Sequence, residues 1–174
     1  MEFTLEILKF TLPALIVFLT AFVLIRGFIK REEVRLAREG EETDRKTLLP
    51  IRLQAYERLA LFLERISPES LILRVNQPGM SAKQFHAELL ASIRAEYEHN
   101  LSQQVYISNE AWEKVRNARG NVISLISAAA DQVKEDATAI TLSQKVFEQV
   151  VQLKAPPVQE ALDFLKEELR RLYW

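Results

Sequence analysis

Glu96-Tyr97-Glu98-His99 sets a carboxylate three residues before an imidazole, a spacing that puts both on one face of a helix. It is half of a carboxylate-bridged di-metal motif, which needs a second Glu-x-x-His on another helix and two further glutamates. The other histidine, His86, has Lys83 in the matching place, so the set is incomplete. The chain has no cysteine, which excludes thiolate nucleophiles and sulfur-ligated metals. Its 4 glycines, Gly27, Gly40, Gly79 and Gly120, are too widely spaced to form a phosphate-cradling loop. Neither histidine falls in the loop or strand-end setting that a nucleophilic triad uses. These residues predict no enzyme, no cofactor and no metal.

The chemistry that remains is recognition. Residues 96–104, EYEHNLSQQ, crowd carboxylate, imidazole, amide and hydroxyl groups onto a helix that also carries Tyr97 and Leu101. Such groups hydrogen-bond a neighbouring helix or a partner's backbone, setting register more than affinity. Glu96, His99, Asn100, Gln103 and Gln104 are therefore the candidate partner-binding residues. The VNQPGMS stretch is a second candidate, because exposed loops on rigid scaffolds often make contacts. The terminal Leu172-Tyr173-Trp174 is expected to pack on the end of the bundle.

Helices must position these groups. Leu49, Leu53, Tyr56, Leu59, Ala60, Leu63 and Ile66 share one face, and Pro50 suits the first turn of that helix. Ser67-Pro68 ends it and opens the short SPESLIL segment. Pro78-Gly79 is turn chemistry, after which Ser81 and Gln84 form a capping box. Phe85, Leu89, Ile93, Tyr97, Leu101 and Val105 follow at four-residue spacing. Ser108 caps the next helix, with Trp112, Val115, Val122, Ile126, Ala129 and Val133 inward and Arg119 interrupting the seam. Thr141 and Gln144 make a second capping box. Pro156-Pro157 breaks the chain before Val158, Leu162, Leu165, Leu169 and Leu172 form a last stripe. No strand-like alternation of useful length occurs, so the fold class is all-α: an antiparallel helical bundle.

Residues 10–25 carry no charge and are followed by Arg26, Lys30 and Arg31. Sixteen residues rise only about 24 Å, but extension to 7–29 gives about 34 Å, enough to cross a hydrocarbon core of roughly 30 Å. The expectation is one transmembrane helix over 7–29, with Lys9, Arg26, Lys30 and Arg31 at the lipid headgroups. Basic residues concentrate after the span, which predicts the N-terminus outside and the C-terminal domain in the cytoplasm, at the inner membrane. Residues 1–6 would be a short extracytoplasmic N-terminus, 30–47 a charged tether frayed around Gly40, and 48–174 the bundle. The net charge of −1 and the lack of a basic stripe in the bundle exclude nucleic acid as a partner.

The segments IRLQAYERLALFLERISPESLILR, PGMSAKQFHAELLASIRAEYEHNLSQQVYIS and VQEALDFLKEELRRLY resemble an uncharacterised family of bacterial single-pass membrane proteins with a cytoplasmic all-helical domain. The resemblance implies a bacterial source and a shared architecture, and no activity or site residue. The expected function is a non-enzymatic, membrane-anchored scaffold that recruits a protein partner or a second copy, with no small-molecule substrate. A stalk-like structural subunit of a membrane complex is the alternative, opposed by the breaks at Pro68, Pro78-Gly79 and Pro156-Pro157. Reversed topology would instead make the chain an extracytoplasmic sensor or envelope domain.

Overall fold

A computed structural model describes residues 2–173, with side chains described only in part up to residue 45. The described backbone is all-helical: α1 (Glu2–Ile66), α2 (Pro68–Val75), α3 (Ala82–Asn100), a 3-10 helix (Leu101–Val105), α4 (Asn109–Ala130), α5 (Ala139–Gln152) and α6 (Gln159–Tyr173). No strand occurs among the described residues; the one extended contact is an isolated bridge between Ser81 and Thr138. The chain divides into two units, one ending at Leu49 and the other beginning at Pro50. Pro50 does not open a new helix as expected. It lies inside α1, where its missing N–H deprives the preceding turn of one hydrogen bond. The helix also continues through Gly40, where fraying was expected.

In the first unit Leu15, Phe18, Leu19, Phe22, Leu24, Ile25 and Phe28 are exposed. Phe18 and Phe22 stack with ring centroids 6.3 Å apart, and the Arg26 guanidinium lies 5.7 Å from the Phe22 ring centre. Among the described residues no helix is long and apolar enough to cross a membrane. This corrects the expected span over 7–29, and with it the inner-membrane location and the outside/cytoplasm orientation. The physical reason is length: the uncharged run supplies about 24 Å against roughly 30 Å, and extending it takes in Lys9 and Arg26. Of the residues assigned to headgroups, Arg26 and Lys30 are exposed, whereas the side chains of Lys9 and Arg31 lie outside the described residues.

The second unit is built around α4, which packs on α3, α5 and α6, while α2 rests on α3 and α5. The last turns of α1 add Ala55, Tyr56, Leu59, Phe62, Leu63 and Ile66 to the same core as Phe85, Leu89, Ile93, Val115, Val122, Ile126, Leu142 and Leu165. The start of each helix is set locally. Ser81 accepts from the Gln84 N–H at 3.2 Å while the Gln84 side chain accepts from the Ser81 N–H at 3.1 Å, completing the expected box. Ser108 caps α4 by accepting from the Ala111 N–H at 3.0 Å. Ser67 stands at the N-cap of α2 without capping it; its hydroxyl donates to the Glu64 carbonyl at 2.8 Å. The cap of α5 is Thr138, one turn before the predicted Thr141, and it accepts from the Thr141 N–H at 3.3 Å.

The α3 stripe also ends sooner than its spacing suggests. Phe85, Leu89 and Ile93 are fully buried, Tyr97 is half-buried, and Leu101 and Val105 are exposed. Each four-residue step on a helix of 3.6 residues per turn rotates by about 40°, so four steps carry the stripe most of the way to the opposite face. The side chains of Leu172, Tyr173 and Trp174 lie outside the described residues.

Candidate partner-binding groove between α1 and α3

Tyr97 holds the C-terminal half of α3 in place. Its ring packs 6.0 Å from Phe62 of α1 and stacks 5.5 Å from Trp112 of α4 at an interplanar angle of 22°. The Arg119 guanidinium, which interrupts the α4 seam, lies 3.9 Å from the Tyr97 ring centre, a cation–π contact that occupies the polar intruder. With Tyr97 turned inward, Glu96, His99 and Asn100 fall at the edge that α3 shares with α1.

There they line an open groove of about 500 Å3 together with Arg58, Leu61, Phe62, Arg65 and Ala95. Arg58 and Arg65 are seven residues apart, two turns of α1, and so reach the same side as Glu96 and His99, one turn apart on α3. Glu96 Oε1 receives Arg65 Nη2 and Arg74 Nη1, each at 2.6 Å. Arg74 Nη2 also donates to the Arg65 carbonyl at 3.2 Å. One carboxylate therefore ties together the last turns of α1 and α2 and the body of α3. Partial burial pushes the Glu96 carboxyl up, but the hydrogen bonds and charges of Arg65 and Arg74 together outweigh it and hold the group below the usual carboxylate range.

His99 is arranged differently. Its Nε2 lies 3.0 Å from Arg58 Nη2. A guanidinium only donates, so in this hydrogen bond Nε2 is the acceptor. Among the described residues, Arg58 consequently meets no carboxylate.

The remaining candidates separate. Asn100 is buried and donates to the Glu96 carbonyl at 2.8 Å in the last turn of α3. Gln103, also buried, donates to Ser102 Oγ at 3.2 Å, and Gln104 is exposed on the 3-10 helix; neither lines the groove. The predicted cluster thus splits into Glu96, His99 and Asn100 on one side and the two glutamines on the other. The arginines were not legible from the polar stretch alone. Their signal was the seven-residue repeat Arg58/Arg65 on a helix already read as amphipathic.

The VNQPGMS loop borders a second hollow, with Gly79 at φ +84° making the turn. It is zipped to the 131–138 segment: the Ala82 N–H donates to the Ala137 carbonyl at 2.7 Å, and the Ala139 N–H to the Met80 carbonyl at 3.1 Å. The Lys83 N–H is likewise engaged, by Glu135 at 3.3 Å. These first-turn donors are used internally, so the paired ends of α3 and α5 offer little to an anion. His86 sits 3.4 Å from Ser127 Oγ, a contact between α3 and α4. Among the described residues no three His, Cys, Asp or Glu side chains group as a metal site would need.

No curated protein and no solved structure matches this chain. One family profile does, over residues 2–172, and its description is a family of unknown function, DUF7935. The match spans nearly all of the helices described above, and the chain belongs to the DUF7935 family of unknown function.

Proposed function

We infer that this protein is a non-enzymatic interaction module that engages a protein partner through the groove between α1 and α3. The observation that carries this reading is Arg58, which opens onto the groove beside exposed Leu61 with only the His99 imidazole as its side-chain partner among the described residues. A guanidinium beside exposed apolar surface, with no carboxylate against it among the described residues, suits completion by a second molecule. Guanidinium groups such as those of Arg58 and Arg65 are also among the types that dominate binding at interfaces.

Placing a photo-crosslinking amino acid at Leu61, and separately at the exposed Val151 of α5, tests the reading in cells. A discrete adduct from position 61 and none from 151 is expected, unchanged by the double substitution Gln103→Ala/Gln104→Ala. Equal labelling at both positions, or none at 61, would refute it. A stalk-like structural subunit that self-associates is a second reading, favoured by the exposed Phe18, Leu19 and Phe22 of the first unit. Adducts that consist only of the chain joined to itself would support that reading instead.

A further inference from the structure

The geometry points to an acidic peptide segment as the occupant of the α1/α3 groove, with Arg58 as its anchor and Glu96 as a carboxylate already inside that competes with it. This rests on the interaction reading above and names the chemistry of the partner.

Arg58 gives one hydrogen bond, to His99 Nε2, which leaves the rest of its five N–H donors in a planar fork. That fork matches a carboxylate bidentately, as a lysine could not. Arg65 stands two turns further along the same groove, 54% exposed, and already donates to Glu96 through both Nε and Nη2. Arg74 converges on the same oxygen, Glu96 Oε1, so a single negative charge answers two guanidinium groups. The arginines and the carboxylate that line the groove are Arg58, Arg65 and Glu96, an excess of one positive charge.

The wall of the groove supplies the second half of the match. Leu61 is 54% exposed, and exposed Ala95 lies across the same groove, over the buried Phe62. An acidic residue followed by an aliphatic or aromatic one would place its carboxylate on Arg58 and its neighbour on Leu61. An inorganic anion would use only the arginines. In the free protein Glu96 plays the part of the ligand carboxylate towards Arg65. Neutralising it would leave Arg65, which lines the groove, for the incoming group and strengthen binding, whereas damage to an ordinary contact weakens it.

The test is fluorescence anisotropy of the full chain with a fluorescein-labelled Ser-Glu-Leu-Glu-Phe-Ser peptide and its Ser-Gln-Leu-Gln-Phe-Ser counterpart. The acidic peptide should bind about tenfold or more tightly than the amide version, and Arg58→Ala should remove about the same factor. Arg58→Lys keeps the charge without the fork and should fall between. Glu96→Gln should tighten binding by about threefold, the effect of freeing one partly screened guanidinium. Circular dichroism of each variant separates these effects from unfolding. Equal affinity for the two peptides, an unaffected Arg58→Ala, a weakened Glu96→Gln, or displacement of the peptide by millimolar inorganic phosphate would each overturn the proposal. The two readings fail separately. An adduct at position 61 that survives Arg58→Ala leaves the interaction module standing without its acidic ligand, while absence of any adduct there removes the module itself.

Discussion

Glu96→Gln offers the sharpest test of the physics at the three-helix junction. Glutamine preserves the shape and an acceptor for Arg65 and Arg74 but removes the charge. A hydrogen bond to a charged group contributes about 1.5–3 kcal/mol when shielded. Arg65 is 54% exposed and Arg74 34%, so solvent screening reduces the two to about 0.5 and about 1 kcal/mol. Glutamine retains part of this, leaving an expected loss of about 1 kcal/mol at pH 7, a fall in Tm of about 3–5 °C. The pH dependence carries the sign. The arginines hold the folded carboxyl below its ordinary value of 4.5, so the stabilisation is complete above that pH and is lost as the pH falls through the folded value. Glutamine does not titrate. Urea midpoints for the two proteins should therefore differ most near neutrality and draw together only as the pH falls below 4.5, with a smaller gap in 1 M salt. A gap that is constant from pH 7 to pH 3 would refute the reasoning, since only packing could produce it. The same substitution is expected to tighten acidic-peptide binding, so stability and affinity move in opposite directions at this residue.

Two further outcomes follow from the loops. Gly79→Ala should cost about 1–2 kcal/mol, because φ is +84° while an added Cβ meets nothing within 4 Å; thermal unfolding reads this, and a much larger loss would indicate a clash that the geometry lacks. Thr138→Ala should destabilise by about 1 kcal/mol and Gln144→Ala by much less, because the α5 cap is Thr138 and not the Thr141/Gln144 pair; denaturant midpoints that rank the two the other way would restore the sequence-derived cap.

Breaks in the chain were the most legible part of this fold. Ser67-Pro68, Pro78-Gly79 and the Pro156-Pro157 pair each separate two helices, since a missing N–H or a positive φ acts within a few residues. Ser81 and Gln84 were readable for the same reason. Thr138 was missed because three residues on it meets Thr141, which is not the Glu or Gln of a capping box, while Thr141 happens to precede Gln144. Pro50 misled in the opposite direction: proline suits a helix start, yet here the flanking residues stay helical on both sides. The site was half legible. Glu96 and His99 announced themselves by their neighbours, but Arg58, Arg65 and Arg74 became part of it only through packing of α1 and α2 on α3. Local patterns carry no record of that packing. The apolar run at 10–25 was read by composition, and its length decided against it.

The zipper between the 76–81 loop and the 131–138 segment has a consequence for how the protein is made. Lys83 and Glu135, joined at 2.8 Å, stand 52 positions apart, and the backbone hydrogen bonds beside them close the same long interval. Ribosomes add about 5–20 residues per second, so roughly 3–10 s pass between synthesis of the two sides. During that time the first amides of α3 have no partner from the distant segment, and only the Ser81/Gln84 box holds its end. A local cap strong enough to stand alone is thus what lets the start of α3 wait for its second half to be translated.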